Sequence, residues 1–204
     1  MVQEETITRD YAMKKYIFLF LVILNIPGSE AAAQSDLQNT SIHTETNISK
    51  SMSAQKSKVN IGGVSLSKTK LEKSVIEGKT NINGSVRSLH SYVNVGSMNL
   101  DKANIKKSRL INQTDITGDI ISKNSTADIG AIDLEGSSAV KSTFANKTII
   151  HGKVLIAGSS ARIGGIAAEN GSFRNTDLSV NSFVSGDVSV HDGAKARIGG
   201  VLFK

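Results

Sequence analysis

The chain has 204 residues and a formal net charge of +6, with no Cys, no Trp and a single proline, Pro27. Because cysteine is absent, disulfides, iron–sulfur clusters and thiolate metal sites are excluded, and stability has to come from packing and backbone pairing. The positive charge weakly favours acidic surfaces or polyanions as neighbours.

The N-terminal segment is typical of a bacterial secretory signal peptide. Two lysines, Lys14 and Lys15, precede an apolar run over residues 16–26 that ends at a Pro-Gly pair. This run has the length of a signal-peptide core and is too short to span a bilayer. An A-x-A cleavage site follows, so the sequence predicts a signal peptide over residues 1–33, with Met13 as the true start. An uncleaved membrane anchor is the alternative reading of the same run. Secretion to the periplasm or cell surface is expected.

The segment that follows, residues 34–57, is rich in Ser, Thr and Asn. It shows no apolar periodicity, and a segment of this composition buries too little surface to fold alone. The sequence therefore predicts a flexible polar linker over 34–57, ahead of a repeat domain at 58–204.

From Val59 onward the sequence of the repeat domain recurs with a nearly constant period. Its units start with VNIGGVSL, VNVGSMNL, ADIGAIDL and ARIGGIAA, and the fragment ARIGGVLF follows them. The first core residues of the units are spaced by 34, 34, 34 and 35 residues: Ile61, Val95, Ile129, Ile163 and Ile198. Regular spacing of this kind indicates a repeat architecture, here four repeats and a partial fifth.

Short β-branched segments interrupted by glycine favour strands in these units. A 34-residue period also suits pairs of helices, but glycine inside a helix is costly and no 3.6-residue apolar stripe is present. Short strands that stack on their own copies form a parallel β-solenoid, and the sequence predicts an all-β fold of this kind.

Two kinds of position recur with the repeat and have a physical explanation in a solenoid. A constant glycine is expected at a positive-φ corner or a crowded approach of two backbones: Gly84, Gly118, Gly152 and Gly186. Hydroxyl side chains in register are expected to hydrogen-bond along the stack, in one column (Ser74, Ser108, Ser142, Thr176) and in another (Thr80, Thr114, Thr148, Ser182).

A third column contains three lysines, Lys73, Lys107 and Lys141, and bears on the number of coils per repeat. With one coil per repeat the lysines lie about 4.8 Å apart, which costs energy unless they splay into solvent. Two unequal coils double that gap, so the column mildly favours two coils, and one long coil stays open. In either case the lysines form a candidate stripe for contact with an anion or a glycan.

No catalytic constellation is visible in the repeats. Carbohydrate-active enzymes need carboxylates that converge on one face. Here the aspartates fall in different columns, apart from Asp119 and Asp187, which lie two repeats apart. The four histidines have no partner at metal-ligand spacing. The sequence therefore predicts no catalytic residue, no metal site and no cofactor, and a protein that is not an enzyme.

The repeat pattern over residues 59–204 resembles the broad class of bacterial secreted β-solenoids, which includes adhesin passengers and fibre subunits. The resemblance implies a structural or adhesive protein. The alternatives are a module that binds polyanions or glycans through its lysines and, less favoured, a carbohydrate-active enzyme. Nucleic acid is not expected as a partner, because few aromatic residues are free to stack on bases.

The final residues form a candidate assembly end. Ile198, Val201 and Phe203 occupy core columns of the partial fifth repeat. A coil with no further coil stacked on it exposes strand edges and core side chains. We expect this end either to fold over as a small lid or to associate end to end with another copy of the chain.

Overall fold

The computed structural model describes residues 35–203, and this part of the chain is a parallel β-solenoid. Its 25 short strands wind through about five coils, and the described residues contain no helix. The predicted all-β solenoid is confirmed. The proposed signal peptide, residues 1–33, lies outside the described residues.

Each coil contributes one strand to each of five parallel sheets, numbered here in the order in which the chain visits them. Sheet 1 contains β1 (Ser35–Gln38), β6 (Thr69–Glu72), β11 (Asn104–Lys106), β16 (Ser138–Val140) and β21 (Ser172–Arg174). Sheet 2 contains β2 (Ser41–Ile48), β7 (Val75–Ile82), β12 (Arg109–Ile116), β17 (Thr143–Ile150) and β22 (Asp177–Val184). Sheet 3 contains β3 (Met52–Gln55), β8 (Val86–Leu89), β13 (Ile120–Lys123), β18 (Val154–Ala157) and β23 (Val188–His191). Sheet 4 contains β4 (Lys58–Ile61), β9 (Tyr92–Val95), β14 (Thr126–Ile129), β19 (Ser160–Ile163) and β24 (Lys195–Ile198). Sheet 5 contains β5 (Val64–Ser67), β10 (Met98–Asp101), β15 (Ile132–Asp133), β20 (Ile166–Ala168) and β25 (Val201–Phe203).

One coil corresponds to one repeat, so the preference for two coils is wrong. Leu110 pairs with Ile76 on one side and with Phe144 on the other, its counterparts in the preceding and following repeats. A coil this long is possible because five strands and their corners use a whole repeat in a single turn. The lysines of the third column are therefore neighbours along the stack.

Residues 35–55 are part of the solenoid, so the linker predicted over 34–57 is wrong for them. Strands β1, β2 and β3 pair with the corresponding strands of the second coil. Ile42, Ile48 and Met52 turn inward and are partly buried against the core. The polar composition concealed this coil, because every outward side chain of β2 is polar and its inward positions include two threonines, Thr44 and Thr46.

The single longer step between repeats comes from one extra residue at the corner between sheets 3 and 4. His191 still pairs with Ala157, a difference of 34, whereas Lys195 pairs with Ser160, a difference of 35. The turn contains Gly193, and a Cβ atom added to this residue would have no neighbouring atom within 4 Å. The register of the strands beyond is shifted by one residue without loss of pairing.

The interior is divided into two apolar lobes by a polar waist, where the threonine column, including Thr114 and Thr148, meets the backbone of Gly130. One buried cluster lies between sheets 3 and 4 and the end of sheet 2, and the other lies between sheets 1 and 5 and the start of sheet 2. At the waist the backbone of Gly130 (φ +61°) turns inward so far that a Cβ atom there would lie 3.0 Å from Cβ of Thr114. The hydroxyl of Thr148 donates to the carbonyl oxygen of Gly130 at 3.0 Å. Thr114 and Thr148 of this column therefore bond across the coil, and not along the stack as expected. The hydroxyls of Thr80 and Ser182 are buried without a hydrogen-bond partner in the described part of the chain.

The other predicted hydroxyl column does form a ladder along the stack. The amide of Ser74 donates to Oγ of Ser108 at 3.1 Å, and the amide of Ser108 donates to Oγ of Ser142 at 3.3 Å. A second ladder of the same kind joins Ser91, Ser125 and Ser159 at the corner between sheets 3 and 4. Because corner amides are buried in a stack, these hydroxyls satisfy groups that the sheets leave unpaired.

Candidate functional site

Two rows of left-handed corners border sheet 1, and lysine occupies five of their nine positions. The residues of the row before sheet 1 have φ angles of +50° to +58°; they are Lys68, Lys102, Gly136 and Asn170. The residues of the row after sheet 1 have φ angles of +50° to +52°; they are Asn39, Lys73, Lys107, Lys141 and Asn175. Positive φ is the conformation that turns the chain from one short strand into the next.

Lysine is an unfavourable residue for such corners. Residues other than glycine, asparagine and aspartate lose about 1–2 kcal/mol in the left-handed region, because Cβ crowds the following carbonyl oxygen. Each row also accepts a residue suited to this conformation in its outer coils, Asn39 and Asn175 in one and Asn170 in the other. The fold therefore does not need lysine at these positions.

The five corner lysines are exposed and have no ion-pair partner among residues 35–203. Nearby, Lys70 pairs with Asp36 and with Glu72 at 3.4 and 3.8 Å, and Lys106 pairs with Glu72 at 3.7 Å. The acidic side chains of sheet 1 thus neutralise the lysines within the sheet and leave the corner charges free.

We call the surface formed by these seven residues the basic edge: Lys68, Lys70, Lys73, Lys102, Lys106, Lys107 and Lys141. The sequence predicted the row of Lys73, Lys107 and Lys141, and the structure places these three side by side at one corner. It adds the second row, which sequence reasoning missed. The signal for it was the one-repeat spacing of Lys68 and Lys102, which ends where Gly136 occupies the column.

A groove runs along the stack outside the waist, between sheets 4 and 5. Strand alternation points Asn94 and Ala167 outward, yet they are only 7% and 1% exposed. The inward turn of the backbone at the waist makes this part of the outer surface concave.

The groove holds a charged cluster that the sequence did not predict. Arg162 Nη1 lies 2.7 Å from Asp133 Oδ2, and Arg162 Nε lies 4.0 Å from Asp128 Oδ1. Tyr92 donates its hydroxyl to Asp128 at 3.3 Å, and the ammonium of Lys58 lies 5.4 Å from the centre of the Tyr92 ring. The two aspartates fall in different columns, so only the waist, which folds sheet 4 towards sheet 5, brings them together.

The electrostatics of this cluster follow from its partial burial. Burial raises the pKa of Asp128, although Arg162 and the Tyr92 hydroxyl act in the opposite direction. Burial and the charge of Asp128 raise the pKa of Tyr92. The pKa of Arg162 is raised: burial opposes this shift, and the hydrogen bond and charge of Asp133 and the charge of Asp128 outweigh it. The arginine lies between both carboxylates, an arrangement that stabilises the groove wall.

A shallow depression of about 510 Å³ lies beside the groove, at the corner between sheets 3 and 4. Its lining is polar and includes His90, Tyr92, Asn124, Thr126, Gly158 and Ser160. No carboxylate contributes to this lining, so the depression lacks the acid and base groups of a glycosidase site.

The residues of the predicted assembly end lie in the last described coil. Ile198, Val201 and Phe203 are 36%, 42% and 56% exposed. The ring of Phe203 contacts the ring of Phe173 edge to face, with the ring centres 5.6 Å apart. The contact covers part of one lobe and leaves the other lobe of this coil open to solvent.

Among residues 35–203, no three His, Asp or Glu side chains are grouped closely enough to hold a metal ion. Within the same part of the chain, no helix is long and apolar enough to cross a membrane. No protein-family model, no curated protein and no solved structure matches this chain.

Proposed function

We propose that the protein is a non-enzymatic, secreted adhesive solenoid that attaches to anionic polymers at the cell surface or in the periplasm through its basic edge. The observation that carries this proposal is the set of five exposed corner lysines without ion-pair partners among the described residues. Stacked like charges repel each other, and a bound polyanion removes that repulsion.

The backbone strain at these corners supports the same function. Strained conformations persist where the surrounding structure imposes them, and they concentrate at functional sites. Asparagine occupies the same rows in the outer coils without a charge. Lysine at these corners therefore weakens the fold, and a role in binding explains why the charge is present.

The charged cluster of the groove supports a non-enzymatic function. A general acid or a general base has to lie within hydrogen-bond reach of the proton that it transfers. Here Arg162 contacts both aspartates, and the Tyr92 hydroxyl donates to Asp128 as well. The carboxylates are engaged with these partners, and their role is structural.

The test compares two variants of residues 34–204 that carry the same total charge. The first replaces Lys73, Lys107 and Lys141 by Asn, and the second replaces three exposed lysines on other faces, Lys123, Lys147 and Lys195, by Asn. Each variant loses three positive charges relative to the unmodified protein. Binding to immobilised dextran sulfate is measured as a function of salt concentration.

We expect the basic-edge variant to bind at least about tenfold more weakly, because counterion release depends on the charges in contact. The control variant is expected to bind nearly as the unmodified protein does. Equal loss in both variants would show that only the net charge matters. Absence of binding by the unmodified protein would refute the proposed function.

A second candidate function is that of a structural subunit that associates end to end. The observation that favours it is that all exposed large hydrophobic side chains among residues 35–203 lie in the last described turn of the solenoid: Phe183, Val188, Val190, Ile198, Val201 and Phe203. Apolar residues of the first coil, such as Leu37 and Ile61, occupy the same columns as Phe173 and Ile198. The first coil of another copy thus matches this surface.

Deletion of residues 197–204 tests the structural function. Sedimentation of residues 34–204 should show association that increases with protein concentration, and the deletion should abolish it. A monomer at high concentration would exclude the structural function and leave Phe203 as a lid over Phe173.

A further inference from the structure

We propose that the partner of the basic edge is a linear acidic polysaccharide whose chain runs parallel to the solenoid axis. This inference rests on the proposed adhesive function and names the polymer. Its anionic groups, carboxylates or sulfates, lie on the row of Lys73, Lys107 and Lys141. Its hydroxyl groups lie over the neutral polar side chains of sheet 1.

The row of lysines defines the direction of the ligand. A register of one full repeat per coil holds across β6, β11 and β16, so the lysine after each strand lies directly beside the next along the stack. Neighbouring strands are about 4.8 Å apart, and the three charges therefore span about 10 Å in a line parallel to the axis. A linear polymer with regularly repeated charges neutralises such a line, whereas a single small anion reaches only part of it.

The surface between the two rows of corners fits a hydroxylated chain. Its outward side chains include Asn104, Ser138 and Ser172, which donate and accept hydrogen bonds. The charged residues among them are Asp36, Lys70, Glu72, Lys106 and Arg174. Lys70 pairs with Asp36 and Glu72, and Lys106 pairs with Glu72. Over three coils, one outward column of sheet 1 thus offers uncharged polar groups, Asn104, Ser138 and Ser172, on the sheet that the two rows of free positive charge border.

Nucleic acid and membrane surfaces fit this edge less well. Proteins that bind single strands stack bases on aromatic side chains. Among the described residues of sheet 1 the aromatic side chain is Phe173, which packs inward against the core. Binding in a bilayer interface needs apolar side chains that insert. The exposed large hydrophobic side chains of the described chain all lie in other sheets.

The experiment measures binding of residues 34–204 to oligogalacturonates of increasing length and to sulfated dextran oligomers of matched length. Galacturonate monomer, single-stranded DNA and vesicles containing phosphatidylserine are compared at the same salt concentration. We expect affinity to rise with oligomer length until the row is covered, at least about tenfold from monomer to the longest oligomers. The carboxylate and sulfate series together show which anionic group is preferred.

Two single variants test the row itself. Lys107→Asn removes the middle charge, and we expect it to flatten the dependence of affinity on oligomer length. Lys56→Asn removes one charge from a left-handed corner between sheets 3 and 4, outside the basic edge, and the length dependence should persist. Both substitutions place at a left-handed corner a residue that other coils already use there.

The inference is overturned if DNA or the vesicles bind as tightly as the acidic oligosaccharides, or if the monomer binds as tightly as the long oligomers. Equal length dependence in Lys107→Asn and the unmodified protein would also overturn it. These results differ from failure of the proposed function, in which the protein binds none of the polyanions.

Discussion

At the residue scale, the corner lysines combine an unfavourable backbone conformation with an unneutralised charge. Six lysines of the described chain have positive φ, and five of them border sheet 1. The sixth, Lys56, lies at the corner between sheets 3 and 4, where His90, Asn124 and Gly158 follow it in later coils. Lysine is thus concentrated at the two corners that flank one sheet.

Replacing a corner lysine by asparagine should stabilise the protein while it weakens binding to polyanions. We expect Lys107→Asn to raise the free energy of unfolding by up to about 1 kcal/mol, because asparagine tolerates the left-handed region better than lysine. Urea unfolding followed by circular dichroism measures the change. The exposed strand residue Lys123, replaced by Asn, is the control and should show no gain. A loss of stability in Lys107→Asn would contradict the strain argument.

The raised pKa of Asp128 predicts a pH dependence of stability. The native state holds this proton more tightly than the unfolded chain, so between the ordinary pKa and the raised pKa stability falls as pH rises. The charged groups that face Asp128 are Arg162 and Asp133, with the Tyr92 hydroxyl beside them. Asp128→Asn removes the titrating group and should reduce the fall in stability over that window.

Urea unfolding of Asp128→Asn and the unmodified protein from pH 3 to pH 7 tests this dependence. The exposed residue Asp192, replaced by Asn, removes the same charge from the surface and serves as the control. Parallel stability curves for Asp128→Asn and the unmodified protein would show that Asp128 titrates alike in the native and unfolded states.

At the element scale, the constant glycine between sheets 2 and 3 is a point of close approach between coils. Its φ is not positive, so of the two explanations expected from the sequence, crowding is the right one. A Cβ atom at Gly118 would lie 2.5 Å from the carbonyl carbon of Gly84 in the preceding coil, and one at Gly186 would lie 2.5 Å from the carbonyl oxygen of Gly152. Side chains at this corner would push the coils apart.

Gly152→Val should therefore destabilise the protein by more than about 1 kcal/mol, since the backbone of Gly118 cannot move without breaking the pairing of two sheets. The melting temperature and the urea midpoint measure the loss. Gly193→Asn is the control, because that glycine has positive φ and open space around it. An unchanged melting temperature in Gly152→Val would show that the coils yield at this corner.

At the scale of the whole molecule, the same glycine column limits stacking between copies. In the first described coil the column is occupied by Lys50, one repeat before Gly84. If the first coil of one copy stacks in register on the last described coil of another, Lys50 meets the backbone at Gly186. This corner then opposes an interface whose lobe columns, such as that of Ile61 and Ile198, are apolar on both sides.

Lys50→Gly should strengthen end-to-end association, because it restores the small residue that close approach requires. Ile198→Asp should weaken association, because it places a charge in an apolar column. Sedimentation of both variants of residues 34–204 over a range of concentrations measures the two effects. Association unchanged by either substitution would exclude this pair of surfaces as the interface.

The fold was predictable because equivalent positions in successive coils of a solenoid have the same environment, so similar residues recur there in the sequence. Columns such as Ile76, Leu110 and Phe144 are apolar in every repeat, since each packs on its own copy in the next coil. The first coil was not predictable in this way. Its outward side chains are polar and its waist is lined by Thr44 and Thr46, so pairing with the second coil, and not local composition, makes it fold.

The candidate site was predictable in part. The sequence alone determined the class of fold, the period, the apolar columns and one row of lysines, because these depend on spacing along the chain. The tertiary structure decided that one coil spans one repeat, that Lys68 and Lys102 border the same sheet as Lys73, and that Asp128 meets Asp133 through Arg162. These neighbourhoods depend on how the chain turns at its left-handed corners and at the waist. The turns bring together residues from columns that have no regular spacing along the sequence.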